Sequence, residues 1–241
     1  EEITYGDPIP VFKSFIFDGL VADDTVPVIA YTDYQRYDDS GDYIILFDDS
    51  VLEEYEYRNY DAEFITGVLK VGKKDLIITA DNKTIYYGDN APEFTFSYIG
   101  LINGDVVEDI ATTDYVLYDP VGTYRIIPFE NEYRNYLGVQ YNEGELIVEK
   151  RPIDITADDK EILFNEEAPQ FTFTFENVVN EDRLEAWATT NYQKGDPVGA
   201  YTITVVPDLV YDNYVVAQTY EGTLNVIHAV AEIFAEELQT H

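Results

Sequence analysis

Tyr87-Gly88-Asp89-Asn90-Ala91-Pro92-Glu93-Phe94-Thr95-Phe96-Ser97-Tyr98 decides how this chain is read. A Tyr-Gly-Asp turn and a proline lead into aromatic residues that alternate with small hydroxyl residues. Period two of this kind marks a strand with one buried face. The stretch has relatives in the same chain. Tyr5-Gly6-Asp7 with Pro10 precedes it, and Phe164-Asn165-Glu166 with Pro169 follows it. Gly41-x-Tyr43 returns as Gly122-x-Tyr124 and Gly199-x-Tyr201. Asn59-Tyr60 returns as Asn135-Tyr136 and Asn213-Tyr214, and Gly67 as Gly144 and Gly222. Five markers in one order make the chain a unit of about 78 residues written three times.

The second copy is the clearest. Leu76–Ala80 and Thr84–Tyr87 are β-rich runs divided by the turn composition Asp81-Asn82-Lys83. Phe94–Tyr98, Tyr124–Ile127, Tyr136–Tyr141 and Glu145–Val148 supply further strands. Short strands with turn signals between them predict an all-β tandem array of three small domains. Each domain is an immunoglobulin-like sandwich or a β-grasp-like sheet, with room for one helical turn at Asp105–Thr112 and Glu181–Thr189. The domains are residues 1–72, 73–150 and 151–228, followed by a tail, 229–241. The repeated glycines are expected at turns of positive φ, and the repeated tyrosines as caps on the core with their hydroxyls at the surface.

In order and spacing the pattern resembles the MBG-type (YGX-type) repeat of long bacterial surface proteins. The matching residues are Tyr87-Gly88-Asp89, Phe94-Thr95-Phe96, Gly100 with Asn103-Gly104-Asp105, Val121-Gly122-Thr123-Tyr124, Asn135-Tyr136 and Gly144-Glu145-Leu146-Ile147-Val148. The third copy departs from the pattern, with Asn165 and Asn177 in place of Gly88 and Gly100. The resemblance implies an adhesin or extended array on a cell surface, and it implies no catalytic residues.

Acidic residues number 48 against 14 basic ones, a net charge of −34. That sign opposes nucleic acid and anionic lipid as partners and keeps the surface solvated. No apolar run approaches the roughly 20 residues that span a bilayer. With no cysteine there is neither a disulfide frame nor a thiol nucleophile, which fits a secreted surface protein. Methionine is absent even at position 1, as in a processed chain or a fragment.

His228 and His241 are the only histidines, and neither falls in a nucleophilic triad or a zinc spacing. No enzyme activity and no resident cofactor are expected. Calcium is the one ion the sequence accommodates, at Asp38, Asp39 and Asp42 or at Asp158 and Asp159. Asn82-Lys83-Thr84 forms a glycosylation sequon.

The two ends read as halves of a fourth copy. Asp154-Ile155-Thr156-Ala157-Asp158-Asp159 returns without a gap as Glu232-Ile233-Phe234-Ala235-Glu236-Glu237, an opening strand. Glu1 is equivalent to Lys83, so the first domain lacks that strand. The expectation is donation between copies, with Ile233, Phe234, Ala235 and Leu238 as donor and Ile3, Tyr5, Phe15 and Phe17 as acceptor. Such head-to-tail contact does not close and makes a filament. Two alternatives stay open. The chain is a segment of a longer adhesin stalk with a host or surface ligand, or Val230, Ile233, Phe234 and Leu238 line a helix.

Overall fold

Alternation of buried and exposed side chains recurs along nearly every strand, because successive residues of a pleated strand face opposite sides. The computed structural model describes residues 1–21, 24, 26–50, 60, 63–102, 104–206 and 209–232. Among these the fold is all-β, with eighteen strands and no helix. The first repeat holds β1 (Glu2–Thr4), β2 (Ala30–Thr32), β3 (Gly41–Phe47) and β4 (Gly67–Gly72). The second holds β5 (Lys74–Ala80), β6 (Lys83–Tyr86), β7 (Phe96–Ile99), β8 (Ala111–Thr113), β9 (Gly122–Pro128), β10 (Tyr136–Asn142) and β11 (Gly144–Glu149). The third holds β12 (Arg151–Ala157), β13 (Lys160–Leu163), β14 (Phe173–Glu176), β15 (Ala188–Thr190), β16 (Gly199–Val205), β17 (Tyr214–Tyr220) and β18 (Gly222–Ile227).

One four-stranded sheet recurs in every repeat, in the orders β1-β4-β3-β2, β6-β11-β9-β8 and β13-β18-β16-β15. A three-stranded sheet accompanies it in the second and third repeats, with the opening strand at its centre: β10-β5-β7 and β14-β12-β17. That strand runs parallel to one neighbour and antiparallel to the other. In the third repeat β12 lies against β16 of the other sheet, a two-layered arrangement rather than a single β-grasp sheet. No helical turn forms at Asp105–Thr112 or Glu181–Thr189. Asn180 and Glu181 are left-handed, at φ 58° and 54°, and the chain then extends into β15. A lone helical turn fixes several residues for a single hydrogen bond and does not hold by itself.

Two compact units result. One comprises Glu1–Asp81, Phe94–Thr112 and Ile126–Gly144, the other Asn82–Glu93, Thr113–Arg125 and Glu145–His241. The second repeat thus contributes strands to both. In the first unit a single buried cluster joins Tyr34, Ile45, Leu69 and Val71 of the first repeat to Leu76, Ile78 and Tyr136 of the second. In the second unit Ile153 and Ile155 on β12, Ile203 on β16 and Leu224 on β18 are fully buried. Each such side chain contributes about 1.5–3 kcal/mol by leaving water.

The first repeat departs from its sisters where the three-stranded sheet belongs. Residues 8–18, equivalent to the run that carries β7, form no strand, nor do residues 63–66. Val11, Ile16 and Ile65 are exposed there, Ile16 completely.

Candidate functional site at the joint between repeats

The repeated tyrosines do more than cap a core. Tyr5 and Tyr87 are only 2% and 3% exposed, and each is seated on residues of the following repeat. The Tyr5 hydroxyl donates to Asp105 Oδ1 at 2.9 Å, and the Tyr136 hydroxyl donates to Asp105 Oδ2 at 2.5 Å. Tyr136 Oη in turn accepts from the Ile102 amide at 2.9 Å. The rings of Tyr5 and Tyr136 meet edge to face, 5.8 Å apart, an arrangement the ring quadrupoles favour.

The same set recurs one repeat later. Tyr87 and Tyr214 donate to Asp182 Oδ2 at 3.0 and 2.7 Å, and the Val179 amide donates to Tyr214 Oη at 3.2 Å. Their rings are 5.4 Å apart at 81°. Glycine after the tyrosine is favoured on two counts. Gly6 and Gly88 sit at φ +86° and +81°, and an added Cβ would lie 2.6 Å from Ile102 Cδ1 or 2.5 Å from Val179 Cγ2.

Asparagine of the Asn-Tyr marker ties the other side. Asn135 Oδ1 accepts from the Ser40 amide at 2.9 Å while its Nδ2 donates to Asp39 at 3.0 Å. Asn213 Oδ1 accepts from the Val121 amide at 3.2 Å. In the second unit the Arg151 guanidinium bonds the Tyr87 carbonyl and the Asp89 carboxylate. Burial, reinforced by the Asp105 carboxylate, pushes the Tyr5 hydroxyl up to about 12. Burial followed by a carboxylate partner raises Tyr87, Tyr136 and Tyr214 as well.

A second tyrosine pair sits inside each repeat, and its more deeply buried member escaped the sequence reading. Tyr34, Tyr115 and Tyr192 are buried edge-on against Tyr43, Tyr124 and Tyr201. The hydroxyls of the latter three close turns by donating to the carbonyls of Asp39, Pro120 and Pro197. The signal was present as Thr32-Asp33-Tyr34, Thr113-Asp114-Tyr115 and Thr190-Asn191-Tyr192.

Of the expected acceptor residues, Ile3 and Tyr5 lie against the cluster that includes Leu76 and Tyr136. The Phe15 ring lies tilted against Phe47, centroids 5.9 Å apart, and Phe17 is exposed. The expected donors Ile233, Phe234, Ala235 and Leu238 lie outside the described residues. The candidate calcium ligands serve mainly as acceptors within the protein. Asp38 accepts from the Gln35 amide, and Asp39 pairs with Arg134 at 2.8 Å. Asp158 takes the hydroxyls of Thr172 and Thr174, which hold its carboxyl below the usual range, and Asp159 accepts from the Thr223 amide. Asp42 lines an open cleft of about 570 Å³ with Glu2, Asp7 and Lys70. Among the described residues no group of three or more acidic or histidine side chains is placed to hold a metal ion. Nor is any helix of the described residues long and apolar enough to cross a membrane.

The family model described as MBG domain (YGX type) matches residues 76–147 and 153–225, more than half of the chain. The chain belongs to the MBG domain family. Both matches run in tandem and begin at an opening strand, β5 or β12. No curated protein matches the chain. In the MBG repeats described here, Tyr-Gly is the part of one repeat that seats on the next.

Proposed function

We propose that this MBG array has a structural, adhesin-like role at a cell surface, with no active site, and that its first repeat is completed by an opening strand from outside residues 1–228. One observation carries the second half of that reading. Gly144 and Gly222 are crowded by the end of the opening strand: an added Cβ would lie 2.5 Å from the Ala80 carbonyl and 2.4 Å from that of Ala157. Gly67 holds the same place in the first repeat, where the nearest contact is Ile45 Cδ1 at an ordinary 3.4 Å. A glycine therefore stands ready for a strand that the described residues do not supply.

In its narrowest form the donor is the tail of a second copy, with Ile233, Phe234, Ala235 and Leu238 as the inserted face, and the product is a head-to-tail filament. Sedimentation and negative-stain imaging of the full chain beside a 1–228 truncation test this. Fibres are expected from the full chain alone, and Phe234→Asp removes them. Monomers in both samples overturn donation by the tail.

A second reading makes the chain a segment of a longer surface stalk that holds a binding tip, with the strand coming from a preceding repeat. The Phe164-Asn165 turn favours it, since that turn lacks the hydroxyl and the bare Cα with which Tyr5-Gly6 and Tyr87-Gly88 seat on their neighbours.

A further inference from the structure

The receiving half of the joint exists three times, although only two Tyr-Gly turns are seated on it among the described residues. In the first repeat the Tyr60 hydroxyl donates to Asp24 Oδ2 at 2.6 Å and accepts from the Val21 amide at 3.0 Å. Those are the bonds that join Tyr136 to Asp105 and Ile102, and that join Tyr214 to Asp182 and Val179. Val21, Asp24 and Tyr60 therefore correspond to Ile102, Asp105 and Tyr136. In both filled versions a tyrosine hydroxyl adds another bond to the carboxylate, and a glycine lies against the Ile or Val side chain. Val21 instead is 66% exposed.

We propose that Val21, Asp24 and Tyr60 form a docking site for the Tyr-Gly turn of a different MBG repeat, and that a second copy of this chain fits it poorly. Among the described residues the turn a second copy has left to offer is Phe164-Asn165, because its Tyr5 and Tyr87 are already buried in joints of their own. Phe164 carries no hydroxyl for Asp24. Asn165 keeps the left-handed backbone, at φ 69°, but adds a Cβ where Gly6 and Gly88 have none. Docking would bring that Cβ against Val21 and cover the Asp24 carboxylate with one donor fewer, which disfavours burial of the charge.

This inference shares with the proposed function only the idea that the first repeat is the receiving end. It is tested on the full chain, tail included, by giving the third repeat the turn it lacks. Sedimentation velocity over a concentration series compares wild type, F164Y/N165G and F164Y/N165G/D24A. Asp24 is exposed, so its truncation leaves the fold intact, which an unchanged melting curve checks. The expected result is self-association of F164Y/N165G at least about tenfold tighter than wild type, from the restored bond to a charged acceptor, and its loss with Asp24→Ala. Equal association of wild type and F164Y/N165G overturns the proposed selectivity. Association that survives Asp24→Ala overturns the docking site. If wild type assembles through its tail and Asp24→Ala leaves that untouched, strand donation stands and the docking site does not.

Discussion

At the scale of single residues, the joint depends on a carboxylate shared by two tyrosines of successive repeats. Asp105 accepts from Tyr5 and Tyr136, and Asp182 from Tyr87 and Tyr214. Tyr136→Phe or Tyr214→Phe leaves a part-buried carboxylate short of a donor and is expected to cost about 1–3 kcal/mol in denaturant unfolding. Tyr60→Phe removes the equivalent bond at an exposed site and is expected to change stability by no more than about 0.5 kcal/mol. The joint also has an alkaline limit. A tyrosine whose folded value is raised favours the folded state fully below its unfolded value, near 10, and that contribution fades as pH rises through the folded value. With Tyr5 at about 12, thermal stability is expected to hold to about pH 10 and fall between 10 and 12. Phenolate absorbance should show a late-titrating class that shrinks in Tyr136→Phe.

At the scale of strands, the two departures of the third repeat from the family pattern turn out to be conservative for the backbone. Asn165 and Asn177 are left-handed at φ 69° and 66°, like Gly88 and Gly100, and asparagine tolerates that region best among residues with a side chain. The crowded glycines are less forgiving. Gly144→Ala or Gly222→Ala forces a Cβ onto a carbonyl of the opening strand, at an expected cost of about 1–3 kcal/mol or more. Gly67→Ala should leave the melting temperature of the isolated chain unchanged, yet abolish any assembly that places a strand beside it. Much of this was legible beforehand. β-rich runs between turn signals located β5, β9 and β11 and their third-repeat equivalents, and the Tyr-Gly-Asp and Asn-Tyr markers picked out the tyrosines, glycines and asparagines of the joint but not Ile102, Val179, Asp182 or Arg151. That those markers meet was not legible, because Tyr5 and Asp105 are 100 residues apart and belong to different copies. The edge strands β2, β8 and β15 were also missed, since three residues are too few to show a period.

At the scale of the whole molecule, charge and repetition act together. A net charge of −34 opposes every contact that brings acidic surfaces together, and salt screens that repulsion over a Debye length of about 10 Å at 0.1 M. Raising NaCl from low to moderate concentration is expected to increase the melting temperature by roughly 2–4 °C, the equivalent of about 1 kcal/mol, read by calorimetry. Reversal of that trend would mean that attractive ion pairs such as Arg151 with Asp89 outweigh the repulsion.

The parallel pairing of β13 with β18 has a mechanical side. A pull that holds β12 and draws the chain away beyond β18 drags β18 lengthwise past β13. The ladder bonds between them are then loaded together, in shear, instead of being opened one at a time like a zipper. The same holds for β6 and β11. A repeat wired in this way resists stretching along its own backbone, the direction in which a tether between a surface and its target is strained.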